Sequence, residues 1–199
     1  MSIRMGTLEV VTAPSIQLVT TAEVKAQAKI EISEDDALLD AYIERATEYL
    51  GNEVDGGMQF RQTQFDLPVS EWWDAPLKLP RPPFYGLNSL KYYDTAGTQQ
   101  TLNLANVIVR RPWRQPGTIE WAPRITLPSV DPDREFPITV RFEAGWGAAN
   151  EVPAQVKQAV VLLVAQWYRD REAASEVASR PIEHGVRALL DSLGYGAYA

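Results

Sequence analysis

The feature that most constrains this chain is the run from Val152 to Glu172. Pro153 stands where a helix tolerates proline, in the first turn, because its missing N–H would have no intrahelical partner there. Val156, Val160, Leu163, Val164 and Trp167 then recur at three- and four-residue steps and make one apolar face. Val161 and Leu162 widen that face, so the middle of the helix needs cover on more than one side. The run is too short, and too charged at Arg169, Asp170, Arg171 and Glu172, to span a bilayer. It reads as the central core helix of the fold.

Two helices are expected upstream. Residues 8–19 form an extended arm broken by Pro14, and Thr20-Thr21-Ala22-Glu23 has the spacing of a capping box opening a short helix over about 21–30. Ser33-Glu34-Asp35-Asp36 repeats the device at the start of a helix over 34–50. Its stripe is Leu38, Leu39, Tyr42, Ile43, Ala46, Tyr49 and Leu50, and Gly51-Asn52 is expected to end it. From Phe60 to Trp146 the texture changes to short β-type runs punctuated by proline and glycine. Strands are expected at 60–67, 77–79, 89–94, 98–102, 107–111, 118–121 and 138–143, with Asp94-Thr95-Ala96-Gly97 as a hairpin turn. Pro80, Pro82 and Pro83 exclude a regular central strand around them. After a connector at 173–180, Pro181 opens a last helix with Ile182, Val186, Leu189, Leu190 and Leu193, ended by Gly194. The expected fold is α+β: a small helical core of about four helices with an inserted, mostly antiparallel β module. The expected organisation is one domain over 1–199, the β module at about 60–146 lying between helical segments 20–52 and 152–193.

The chemistry is sparse. Hydrophobic residues make up 45% and charged residues 23% of the 199, an ordinary globular balance. The net charge of −7 disfavours sequence-independent grip on phosphates. With no cysteine there is neither a disulfide nor a thiolate metal site, and residues 1–6 lack the apolar core of a secretory signal. The single histidine, His184, has no nucleophile motif nearby and reads as a surface helix residue. Asp131-Pro132-Asp133 and Glu34-Asp35-Asp36 lack calcium-loop spacing and read as turn and cap residues. Gly145-Trp146-Gly147 lacks the lysine and third glycine of a phosphate loop. No metal, no cofactor and no catalytic residue is therefore expected. Six tryptophans raise a rival reading, a carbohydrate-binding module or glycosidase-like enzyme; Trp167, Trp121 and Trp146 fall in core-like patterns that argue against it. Trp72 and Trp73 fall in a loop and suit a protein interface. The one basic cluster, Arg110, Arg111, Trp113 and Arg114, suits a solvated or inter-subunit face.

Five short patterns occur in a telling order: Leu18-Val19-Thr20-Thr21-Ala22-Glu23-Val24-Lys25, Asp35-Asp36-Ala37-Leu38-Leu39, Leu79-Pro80-Arg81-Pro82-Pro83, the run 138–147 ending Ala144-Gly145-Trp146-Gly147, and the run 152–160. Together they resemble the head–tail connector, or adaptor, family of long-tailed phages, which includes the adaptor of phage-derived gene transfer agents. The resemblance covers about 18–193. It implies a structural protein of the virion or gene-transfer-agent particle, made in the bacterial cytoplasm and placed at the head–tail junction. It further implies a homo-oligomeric ring, a dodecamer, docked beneath the portal protein and followed by a tail-side stopper or tail-terminator protein, with no membrane. DNA would pass through the lumen without specific binding. The C-terminal segment of the family reaches into the portal, which here assigns portal contact to Leu189, Leu190, Leu193, Gly194, Tyr195, Gly196, Ala197, Tyr198 and Ala199. A larger β module than in shorter family members is the main departure. The acidic balance agrees with the resemblance, since a ring of such subunits would repel phosphate from its lumen.

Overall fold

The computed structural model describes residues 3–14, 16–54, 57–111, 116–170, 185–186 and 188–189. The chain divides into two compact units, one comprising Met1–Ser15 and Gln62–Gly145, the other Ile16–Arg61 and Trp146–Ala199.

The second unit is helical. Its α1 (Thr21–Ala28) opens with the expected capping box: the Glu23 amide donates to Thr20 Oγ1 at 3.2 Å and the Thr20 amide donates to the Glu23 carboxylate at 2.7 Å. α2 (Asp36–Tyr49) begins after Asp35 and not after the expected cap Ser33, whose carbonyl instead accepts from the Asp36 amide. Gly51 does not end this helix, as its glycine suggested. The chain continues through a π-helical turn, Leu50–Val54, and a Cβ on Gly51 would stand 2.9 Å from the Met58 carbonyl oxygen. The glycine serves a close approach of backbone to backbone.

α3 (Ala154–Asp170) is the central helix, burying Val156, Ala159, Val160, Val161, Leu163 and Val164. The core it enters includes Leu39, Ile43, Ala46 and Leu50 of α2 and Val24 of α1, so both preceding helices cover it. At its far end Trp167 receives the edges of Tyr42 and Tyr49, with ring centres 6.1 and 6.3 Å away, and the Arg45 guanidinium lies over the indole. Tyr168 donates its hydroxyl to Asp35 at 2.6 Å, tying α3 to the start of α2. Among the described residues there are three α-helices, not about four. The fourth, expected at 181–193, lies mostly outside the described residues; of it, Val186 is buried and Leu189 half-buried against this same core.

The first unit holds two antiparallel sheets. One has five strands in the order β1 (Glu9–Thr12), β2 (Thr63–Val69), β8 (Ile138–Ala144), β4 (Phe84–Tyr93), β5 (Gln99–Leu102). The other has three: β3 (Leu77–Lys78), β7 (Thr118–Trp121), β6 (Val107–Arg110). β2 and β8 alternate strictly between buried and half-buried residues, and Phe65, Leu67, Val69, Val140 and Phe142 join Leu90, Leu77 and Ile119 in one core shared by both sheets. The opposite face is held by polar pairs. Arg141 binds Asp66 through two nitrogens at 2.7 and 2.6 Å, and Glu143 accepts from Gln62 and Asn88.

The turn 94–97 forms as expected: Gly97 has φ +74°, and the Asp94 carboxylate caps the amides of Ala96 and Thr98. A hydrogen bond from the Gln100 side chain, together with those two, holds the Asp94 carboxyl below its usual range. Three boundaries differ from expectation. The arm at 8–19 contains a strand, β1; β4 begins at Phe84, not Ser89; and β2 runs 63–69, not 60–67, because Phe60 stacks on Trp146 in the helical unit. Pro68 is accommodated in β2 because its carbonyl accepts from Gly6. Its missing N–H therefore faces that arm and removes no bond to β8.

Candidate assembly surfaces

Each unit carries a different charge. In the β unit ten basic residues balance ten acidic ones, while the helical unit has nine basic against sixteen acidic. The whole net charge of −7 therefore belongs to the helical unit. Its most ordered expression is α2, where Asp36, Asp40, Glu44 and Glu48 follow at four-residue steps and so share one stripe. Three of the four are engaged: Asp36 pairs with Lys25 at 2.8 Å, Asp40 accepts from the Thr21 hydroxyl and Gln17, and Glu44 takes both terminal nitrogens of Arg61 at 2.7 Å. Next to it, Glu23 is held below the usual carboxylate range, chiefly by the Thr20 amide and then by its hydroxyl. Such a surface can repel phosphate or meet a basic partner.

An open groove of about 420 Å³ runs along the same unit, lined by Lys29, Ile30, Ile32, Tyr168 and Arg169 among others. Ile32 is exposed there. The groove is open to solvent and is not an enclosed cavity. Among the described residues no group of three or more histidine, aspartate or glutamate side chains could hold a metal ion, and no helix is long and apolar enough to cross a membrane.

The tryptophans expected at an interface are placed differently. Trp73 is only 1% exposed, stacks on Trp121 with ring centres 4.4 Å apart, and donates its indole N–H to the Ile119 carbonyl at 3.1 Å. It is a core residue and offers a partner no surface, which corrects the reading of it as an interface residue. Trp72 is half-buried, its edge against Trp121 and Tyr92 and its N–H bound to the Pro128 carbonyl at 2.7 Å. None of the five described tryptophans is exposed, so among them there is no flat stacking platform for sugar. Of the basic cluster, Arg110 pairs with Glu120 at 2.6 Å, which raises its pKa, and Arg111 lies over the Phe84 ring at 5.6 Å. Trp113 and Arg114 lie outside the described residues, as do His184, Leu190, Leu193, Gly194, Tyr195, Gly196, Ala197, Tyr198 and Ala199. Leu189 is half-buried against the core of its own unit, so its apolar side chain is partly used within the chain.

Two surfaces escaped the sequence reading. The exposed edge β1 was hidden by Pro14, and the groove beside α1 is a product of tertiary placement with no local signal.

The comparisons with known proteins bear on these surfaces. Residues 19–70 match the family model described as phage gp6-like head–tail connector protein, a stretch that takes in α1, α2 and β2. A chain in the virion of a native gene transfer agent particle superposes with a TM-score of 0.74 at 24% identity, over 94% of each chain. The chain has the fold of a subunit from a gene transfer agent particle. Chains from the neck of an empty particle, computed with C6 symmetry, and of a native particle, computed with C12 symmetry, each give a TM-score of 0.70 over 94% of both chains. No curated protein matches the sequence.

Proposed function

We propose that this chain is a structural head–tail adaptor: many copies form a ring in the neck of a phage-derived particle and leave DNA a passage from head to tail. The observation that carries the reading is the coincidence of two independent likenesses. The segment 19–70 matches a connector family by sequence, and the fold as a whole matches chains of a gene transfer agent neck over 94% of their length. The neck matches with C12 and C6 symmetry support a ring, and we take it to be a dodecamer in which 1–199 acts as one adaptor domain.

The charge distribution fits this role. A ring multiplies the −7 of each helical unit, and acidic side chains facing its lumen would repel phosphate at distances up to about the Debye length, ~8 Å at physiological salt, while DNA moves. The ends of the ring would meet the portal on one side and a stopper or tail-terminator protein on the other, with the uncharged run Tyr195–Ala199 as the portal-seeking segment. Its two tyrosines can bury apolar area in a groove while each hydroxyl keeps a hydrogen bond. The role is one of assembly and passage and needs no catalytic step.

Removal of the gene tests the reading. Producing cells should then accumulate DNA-filled heads and free tails that are not joined, and supplying the chain in trans should restore joined particles. Joined, DNA-transferring particles from cells that lack the chain would overturn it.

A further inference from the structure

Two sheet edges of the β unit are open and complementary. Among the described residues β1 is bonded only to β2, and none of its four residues is buried; Val10 is 60% and Val11 40% exposed. This edge therefore holds two adjacent apolar side chains in water. β6 ends the smaller sheet, bonded among the described residues only to β7, with Ile108 37% exposed and Arg110 exposed beside it. Neither strand contains a lysine or a proline, two of the devices that blunt an edge. The bulge between Val10 and Thr12 twists β1 and restricts pairing to a short stretch.

The two edges fit each other. Set antiparallel, Glu9-Val10-Val11-Thr12 meets Arg110-Val109-Ile108-Val107, with opposite charges at one end and β-branched residues opposite one another along the rest. Glu9 takes part in no ion pair among the described residues. Arg110 gives its Nε to Glu120, which leaves its terminal nitrogens for a second carboxylate. The edges belong to different sheets, so such a contact is head-to-tail, the type that closes into rings.

We infer that β1 of one copy pairs with β6 of the next, so that the occupant of each open edge is a second copy of this chain. The inference rests on the ring reading above and gives its subunit contact. Main-chain bonds would supply affinity, and the alternating side chains would set the register.

The chain has no cysteine, so introduced pairs report cleanly. Two double variants are assembled into particles, Glu9→Cys with Arg110→Cys and Val11→Cys with Ile108→Cys, each alongside its single-cysteine parents. After mild oxidation, a non-reducing gel should show a ladder in steps of the 22.2 kDa chain for a double variant and only the monomer band for the single ones. Rings visible in the particle necks with no ladder in either double variant would overturn the β1–β6 contact and leave the ring reading standing. Dimers from a single-cysteine variant would overturn it by showing a two-fold contact. Necks that lack any ring of this chain would overturn both readings together.

Discussion

Replacing Leu163 by alanine tests the role of α3 as the helix around which the helical unit is built. Leu163 is 2% exposed and lies in the same core as Leu39, Ile43 and Ala46 of α2. Truncation removes three carbon groups, at about 0.8 kcal/mol each, or roughly 2.4 kcal/mol of transfer free energy. The cavity left behind adds to this, and leucine truncations in packed interiors fall at about 2–5 kcal/mol. With neighbours from two helices and little freedom to collapse, about 3–4 kcal/mol is expected here. For a chain of this size that lowers the melting temperature by roughly 6–16 °C. The adjacent Leu162 supplies the control. It has the same chemistry but is half-buried, so Leu162→Ala should lose less than half as much. Circular dichroism at 222 nm follows the helical unit through the melt. Equal losses at the two positions, or less than about 1 kcal/mol at Leu163, would refute the placement of the helix.

Three further outcomes follow. Gly117→Ala would drive a Cβ to within 2.4 Å of the Phe84 ring, so the β unit should lose about 1–3 kcal/mol, read by near-ultraviolet melts; an unchanged melt would show that Phe84 is free to move. Glu23 has a lowered folded pKa, so its contribution is present above its unfolded value near 4.5 and lost as pH falls through the folded one; Glu23→Gln should be less stable at pH 7 and flatten the acid limb of a stability–pH curve, and an unaltered limb would contradict the capping account. Deleting residues 194–199 should leave the melting temperature unchanged and abolish attachment to DNA-filled heads, scored by electron microscopy; wild-type joining would place the portal contact elsewhere.

Much of the helical unit was legible because period-3.6 stripes survive any tertiary arrangement. Val156, Val160, Leu163 and Val164 are buried as their spacing required, and the Thr20–Glu23 box is a purely local device. The hairpin at Asp94–Gly97 was equally local. What failed was long-range. Gly51 has the look of a helix stop, yet its lack of a side chain serves the Met58 carbonyl brought near by the chain's return. β4 was read too short because register irregularities at Phe84–Gly86 and Leu87–Ser89 break the alternation that marks a strand. Trp73 looked like a loop residue offered to a partner, since nothing local announces that Trp121 will stack on it. The family resemblance lay in the order of short patterns, and the site reading that depended on it falls largely on residues beyond α3, which is why the open edges β1 and β6 had to come from the fold.

In the proposed role, copies of this chain form the ring between head and tail. Electron cryomicroscopy of particles from producing cells, reconstructed at the neck without imposed symmetry, tests it most directly. The account predicts twelve copies of this fold encircling the DNA passage at the head–tail junction. A neck whose density is filled by other folds, with this chain absent or elsewhere in the particle, would contradict it.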